Sequence, residues 1–122
     1  MQPVNVGVIG FGYWGPNLVR NFFELPSSKL IAVADLQDSR LDHVRTRYPG
    51  VRVTHDYADL FDMPLDAAVV ATPPATHHEI AMRCLEHNLN VFVEKPLTLN
   101  SKDAEALIDA AAARFRQAAE TA

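Results

Sequence analysis

Cysteine is almost missing from the 122 residues: Cys84 stands alone, which excludes an internal disulfide. One thiol without a second also argues against structural zinc and fits a reducing compartment, so a cytoplasmic protein is expected. Long apolar runs are missing too. The longest, Leu30–Ala34 and Ala67–Ala71, fall far short of the roughly 18–20 residues of a membrane helix. No basic segment followed by an apolar stretch opens the chain, so no export leader is expected. Positive charge is in short supply: eleven Lys and Arg against fifteen Asp and Glu give a net charge of −4 with the five histidines neutral. Such a balance offers no field to recruit nucleic acid or an anionic membrane.

What is present suits one globular domain over 1–122. The chain is 48% apolar and 21% charged, and a domain commonly takes about 100–200 residues. Short apolar runs alternate with longer amphipathic stretches, with no repeat or linker between them. Val4–Ile9, Lys29–Ala34, Ala67–Ala71 and Asn90–Val93 are rich in Val, Ile, Phe and Ala without strict alternation, as strands covered on both faces are. A weaker run, Val51–Thr54, predicts a short edge strand.

Helices are predicted between them. The first starts near Gly12–Pro16, carries Leu18, Val19, Phe22 and Phe23 on one stripe, and stops before Pro26. Ser39 is the expected cap of the second, which Pro49-Gly50 ends; Thr76 of the third; Ser101 or Asn100 of the fourth. Right-handed crossovers join these into an α/β fold, a doubly wound parallel sheet of the Rossmann kind with five to six strands. Ligands of such a sheet bind at the carboxyl ends of the strands.

Gly10-Phe11-Gly12-Tyr13-Trp14-Gly15 follows the first strand directly and runs into the first helix, the context a GxGxxG motif requires. Gly10 permits the sharp turn, Gly12 removes a Cβ that would meet a pyrophosphate, and Gly15 lets helix and strand approach. Asp35 ends the second strand 20 residues after Gly15 (35 − 15 = 20), where a carboxylate accepts hydrogen bonds from the adenosine ribose. NAD is the expected cofactor. NADP is the lesser candidate, because a 2′-phosphate about 4 Å from Asp35 costs on the order of 1–4 kcal/mol. Arg40 is near enough in sequence to raise NADP, but it reads as a solvated arginine on a helix surface. S-adenosylmethionine is a rival ligand; the acid that methyltransferases typically carry before the loop is replaced here by Val8-Ile9.

Two further turns belong to the ligand-binding edge, Thr72-Pro73-Pro74 after the fourth strand and Glu94-Lys95-Pro96 after the fifth. The prolines make a rigid wall without competing donors. His77 reads either as a ligand or acid–base group, or as a structural histidine near a helix N-terminus. Lys95 reads equally as a site residue or a surface charge.

Together these residues resemble the N-terminal half of the glucose–fructose oxidoreductase / inositol 2-dehydrogenase (Gfo/Idh/MocA) family, most specifically in Glu94-Lys95-Pro96, and over about 4–114. The resemblance implies NAD(P)-dependent hydride transfer at a sugar, cyclitol or nucleotide-sugar hydroxyl. It implies that Gly10, Phe11, Gly12, Tyr13, Trp14 and Gly15 surround the pyrophosphate, that Asp35 holds the ribose, and that Thr72, Pro73 and His77 line the cofactor's middle. Glu94 and Lys95 would lie by the nicotinamide, with Lys95 as the catalytic group on the substrate hydroxyl; no metal is implied. Tyr13–Phe22 resembles members acting on nucleotide sugars.

Family members continue into a sixth strand and a second, substrate-holding domain, which these residues do not include. Phe115–Ala122 reads as helix where a turn and strand would come. The alternative function is therefore a stand-alone nucleotide-binding module without turnover. Without a sixth strand, Asn90–Glu94 is an open edge and a homo-oligomer is expected, unless the helix or tail from Arg114 folds across it.

Overall fold

A computed structural model describes residues 2–12 and 14–121, with 115–121 described by backbone alone. Five strands, β1 Val4–Ile9, β2 Ser28–Ala34, β3 Arg52–Thr54, β4 Ala67–Val70 and β5 Asn90–Val93, form one parallel sheet in the order β3-β2-β1-β4-β5. The order reverses between β1 and β4, and there the connections leave to opposite sides and open a crevice. Each strand that reaches it is held to its last residue. Gly10 N–H donates to Ala34 O at 2.8 Å, Ala71 N–H to Ile9 O at 2.8 Å, and Glu94 N–H to Val70 O at 3.0 Å.

The alternation of β1 divides the core. Val6 and Val8 face one side with Val33, Val69, Val19 and Val44; Ile9 faces the other with Ala34, Val70, Ile80 and Cys84. Helices α1 Gly15–Glu24 and α2 Asp38–Arg47 cover the first side, α3 His77–Glu86 the second, and α4 Ser101–Thr121 lies against α3. Pro16 stands in the first turn of α1, where a missing N–H costs nothing.

Two expected caps differ. Helix α2 starts one residue before Ser39, and Gln37 holds the cap position without a side-chain bond. The backbone reaches helical geometry early because Asp35 Oδ1 accepts the Gln37 N–H at 2.9 Å and closes the turn first. Thr76 does occupy the cap position of α3, but its hydroxyl lies 2.7 Å from Pro73 O and 2.6 Å from Thr72 Oγ1. Asn100, rather than Ser101, caps α4, its Oδ1 accepting the Asp103 N–H at 2.8 Å. At the β5 edge, Phe92 is 52% exposed. Arg114 of α4 donates to Asn90 Oδ1 at 2.7 Å and to Asn88 O, which fixes the helix beside the start of that strand.

Candidate functional site

At the reversal of the strand order lies a cleft of about 630 Å³, a size suited to a small-molecule ligand. Of the residues expected there, Gly10, Gly12, Trp14, Asp35, Thr72, Pro73, Glu94 and Lys95 line it. They come from the ends of β1, β2, β4 and β5. Tyr13 lies outside the described residues.

The three glycines of the loop have three different reasons. Gly10 takes φ +101°, and a Cβ there would stand 2.7 Å from Ala71 O, so both conformation and space demand glycine. A Cβ at Gly15 would stand 2.4 Å from Gly10 O, so it serves the close approach of α1. Gly12 has no such constraint. Among the described residues, the nearest atoms to a Cβ there belong to the Arg40 guanidinium, at 3.5 Å and beyond, an ordinary contact.

Asp35 is 8% exposed and is held by the chain itself. Its Oδ2 accepts the Phe11 N–H at 2.7 Å and its Oδ1 the Gln37 N–H at 2.9 Å, while Arg40 Nη1 approaches Oδ2 at 3.4 Å. These bonds fix the carboxylate's orientation at the cleft wall and leave acceptor capacity, since a carboxylate has about four lone-pair sites.

Phe11, Gly15 and His77 do not line the cleft. The Phe11 side chain is buried in the core beside α1 and α2, 5.5 Å from the His43 ring, because the glycine turn aims it inward and only its N–H reaches the Asp35 side. His77 is 1% exposed and lies behind the cleft wall. Nδ1 lies 2.7 Å from Pro96 O and Nε2 2.7 Å from Thr72 O. The ring is a strut between the two turns that carry Thr72-Pro73 and Glu94-Lys95, and its nitrogens are occupied by backbone. The Lys95-Pro96 peptide bond is cis.

At Thr72, Pro73 O can only accept, so Thr76 donates to it and receives the Thr72 proton. The Thr72 hydroxyl is thereby left presenting lone pairs. Lys95 is exposed and reaches the cleft from the end of β5.

Arg40 is the residue that sequence reasoning misplaced. It lines the cleft beside Asp35 instead of facing only solvent. The signal was its place in the first turn of a helix that begins at the carboxyl end of β2, where side chains overhang the crevice. Leu36, His55 and Tyr57 also line the cleft, as do Glu79 and Ile80 of α3.

The family model described as an oxidoreductase family with an NAD-binding Rossmann fold (Gfo/Idh/MocA) matches residues 4–120. The chain is 35% identical over 111 residues to inositol 2-dehydrogenase of Rubrobacter xylanophilus, covering 89% of this chain and 32% of that protein. It is 27% identical over 115 residues to an NADP(+)-named scyllo-inositol 2-dehydrogenase of Bacillus subtilis, covering 91% and 31%. The crystal structure of GenD2 from gentamicin A biosynthesis, in complex with NAD, superposes with a TM-score of 0.89 at 33% identity, over 94% of this chain and 33% of that one. The chain thus spans about a third of the length of the curated relatives it matches. With the glycine loop, the buried acid after β2 and the Glu-Lys-Pro turn gathered in one cleft, the chain belongs to the Gfo/Idh/MocA oxidoreductase family, whose NAD-binding Rossmann domain it forms.

Proposed function

We propose that the cleft binds NAD in preference to NADP, and that the chain is the cofactor-holding half of a dehydrogenase acting on a polyol hydroxyl. The observation that carries this reading is Gly12. Among the described residues no contact requires glycine there, and Gly12 lines the cleft with Asp35, as a loop approached by a pyrophosphate needs. Gly10, Gly12 and Trp14 would surround the pyrophosphate, the free N–H groups opening α1 would donate to it, and Asp35 would accept from the ribose. Tyr13, Phe11 and Gly15 would contribute through the same loop, Phe11 and Gly15 by shaping it.

When bound, the nicotinamide supplies a hydride acceptor or donor. This chain's residues do the rest of what can be assigned. Pro73 and Thr72 form a wall with an acceptor hydroxyl. Glu94 and Lys95 stand at the end of β5, where the Lys95 amine would accept the proton of the reacting hydroxyl as the hydride leaves its carbon. Among sugars, nucleotide sugars and cyclitols, the inositol-named relatives support a cyclitol. The single buried thiol suits the reducing cytoplasm. Among the described residues no helix is long and apolar enough to cross a membrane. Self-association would run through the β5 edge, around the half-exposed Phe92.

Calorimetry with NAD and NADP tests the reading. Saturable NAD binding, with NADP weaker, is expected; equal affinities would remove the role given to Asp35. Lys95→Ala should leave NAD affinity within about twofold, since its role concerns the substrate hydroxyl.

A further inference from the structure

His77 opens α3 with its ring 1% exposed, and both ring nitrogens meet main-chain oxygens: Nδ1 stands 2.7 Å from Pro96 O and Nε2 2.7 Å from Thr72 O. A main-chain carbonyl has lone pairs to offer and no proton. A neutral imidazole has one N–H and one bare nitrogen, so in either tautomer one contact would set lone pair against lone pair at 2.7 Å. Turning the ring over gives no relief. Carbons would then take the places of the nitrogens, well inside the roughly 3.3–3.6 Å of a C–H···O contact. Only a ring protonated on both nitrogens satisfies both oxygens, and both distances are as short as charge-assisted bonds are.

No carboxylate supplies a counter-charge: among the described residues no ion pair reaches the ring. Of the elements packed against α3, β4 and the turn 71–76 carry no ionisable side chain, β5 leads into Glu94 and Lys95, and α4 opens with Lys102 and Asp103. On α3 itself His78 and Glu79 follow, with His78 Nε2 4.0 Å from Asp103 Oδ1. Burial and the positive end of the α3 dipole both work against a cation here. The two carbonyls therefore hold the proton, and they belong to the two turns that carry the β4–β5 wall of the cleft. Loss of the proton turns one of the two contacts from attraction to repulsion and frees the turns from each other.

We infer that His77 is an imidazolium clasp between the Thr72-Pro73 and Glu94-Lys95 turns, so that the β4–β5 wall of the cleft, and with it the grip on a dinucleotide, depends on a proton. The second half rests on the dinucleotide reading above and deepens it into a regulation of the same site. A ligand lying on both turns favours the clasped, protonated form, so by linkage NAD binds more weakly as pH rises and the proton leaves.

Nitrogen-15 NMR of the histidine rings and calorimetry of NAD binding over a pH series test it on the 122-residue protein. His77→Gln keeps a donor for one carbonyl and cannot titrate, and its spectrum assigns the His77 signals by their loss. Slow exchange of buried ring N–H protons marks them in the unchanged protein as well. At pH 7 the His77 ring should show two protonated nitrogens. NAD affinity should fall on the order of threefold or more over the pH range in which those signals change. His77→Gln should bind more weakly than the unchanged protein below that range and stay within about 1.5-fold across it. His55, which also lines the cleft, is present in both proteins, so a difference between them belongs to His77. Circular dichroism checks that the variant keeps its fold, and the ring spectrum of the unchanged protein needs no variant.

A single N–H on the His77 ring at pH 7 overturns the inference and leaves the dinucleotide reading standing. So does a pH dependence of NAD affinity that is the same in His77→Gln. Failure to bind NAD at any pH overturns the dinucleotide reading and the proton linkage built on it, while two ring protons would still establish the clasp.

Discussion

On the β1–β2 side the cleft is lined by the glycine loop, by a buried carboxylate locked by main-chain donors, and by the side chains of Trp14 and Arg40. On the β4–β5 side it is lined by an exposed lysine, a threonine and prolines, carried on two turns that a single buried histidine holds together. The first side is pre-formed by packing, with Gly10, Gly15 and Phe11 each fixed by close contact. The second is pre-formed by one strut. A dinucleotide needs the same grip whatever it later reacts with, so rigid backbone suits the first side. On the proposed reading, chemistry at a substrate hydroxyl would need a side chain that reaches outward, and Lys95 is exposed on that side.

Two glycines of opposite role give the sharpest way to break this comparison. Gly12→Val should lower NAD affinity by about a hundredfold or more, roughly 3 kcal/mol, with little change in melting temperature. Among the described residues its Cβ meets only the far end of a flexible arginine. Gly10→Ala should do the reverse to stability: positive φ and a Cβ against backbone at 2.7 Å should cost at least ~2 kcal/mol. Calorimetry and thermal melts on the pair decide the matter. Unaltered NAD binding by Gly12→Val would reduce the loop to a mere turn.

His77→Ala probes the other side. The part-buried carbonyls of Thr72 and Pro96 lose the ring between them and a ring-sized space opens, a loss of roughly 3 kcal/mol. Chemical denaturation should show it, and amide exchange should quicken at Thr72 and around Pro96 while Gly10 and Phe11 stay protected. Equal loosening of both sides would mean that they are one cooperative unit and that the strut is not local.

How much of this was legible in the sequence follows the same division. The glycine spacing, the strand before it and Asp35 were readable because a backbone turn and a strand end leave a fixed spacing. The strand order followed from the βα rhythm and the handedness of crossovers. Unreadable were the directions of side chains inside the loops. Phe11 sits in the glycine loop by sequence and in the core by geometry. His77 lies next to a cleft wall in sequence, yet its ring turns away to bridge Thr72 and Pro96, a contact across 19 residues. Arg40 looked solvated because a helix surface cannot be told from a cleft rim until the helix is placed. Ser39 lost the cap position because Asp35 closes the turn ahead of it.

The exposed edge of β5 is a smaller effect on the same side. Phe92→Lys puts a charge on a half-exposed strand position, and light scattering over a concentration series should show any dimer dispersed with little loss of stability. A monodisperse monomer in the unchanged protein, with Phe92 amides protected, would show the edge already covered.

The smallest effect expected lies beneath the open side and asks whether its core is as tight as that of the other. Cys84 packs with Val70, Ile80 and Leu89 under β4 and β5, and burial pushes its thiol up from 9.0 to about 11, with Arg83 pulling weakly the other way. The neutral thiol is therefore favoured in the folded state. The unfolded chain loses this proton first, so the folded state holds more protons between the two values and stability falls as pH rises. The contribution is whole below about pH 9 and is lost as pH climbs through 11. Cys84→Ala removes the titrating group, so its stability should decline less steeply over that range, while the unchanged protein at pH 8 should resist thiol reagents until it unfolds. Rapid labelling of folded Cys84 at pH 8, or identical alkaline slopes for the two proteins, would show that the β4–β5 side is open through its core as well as at its surface.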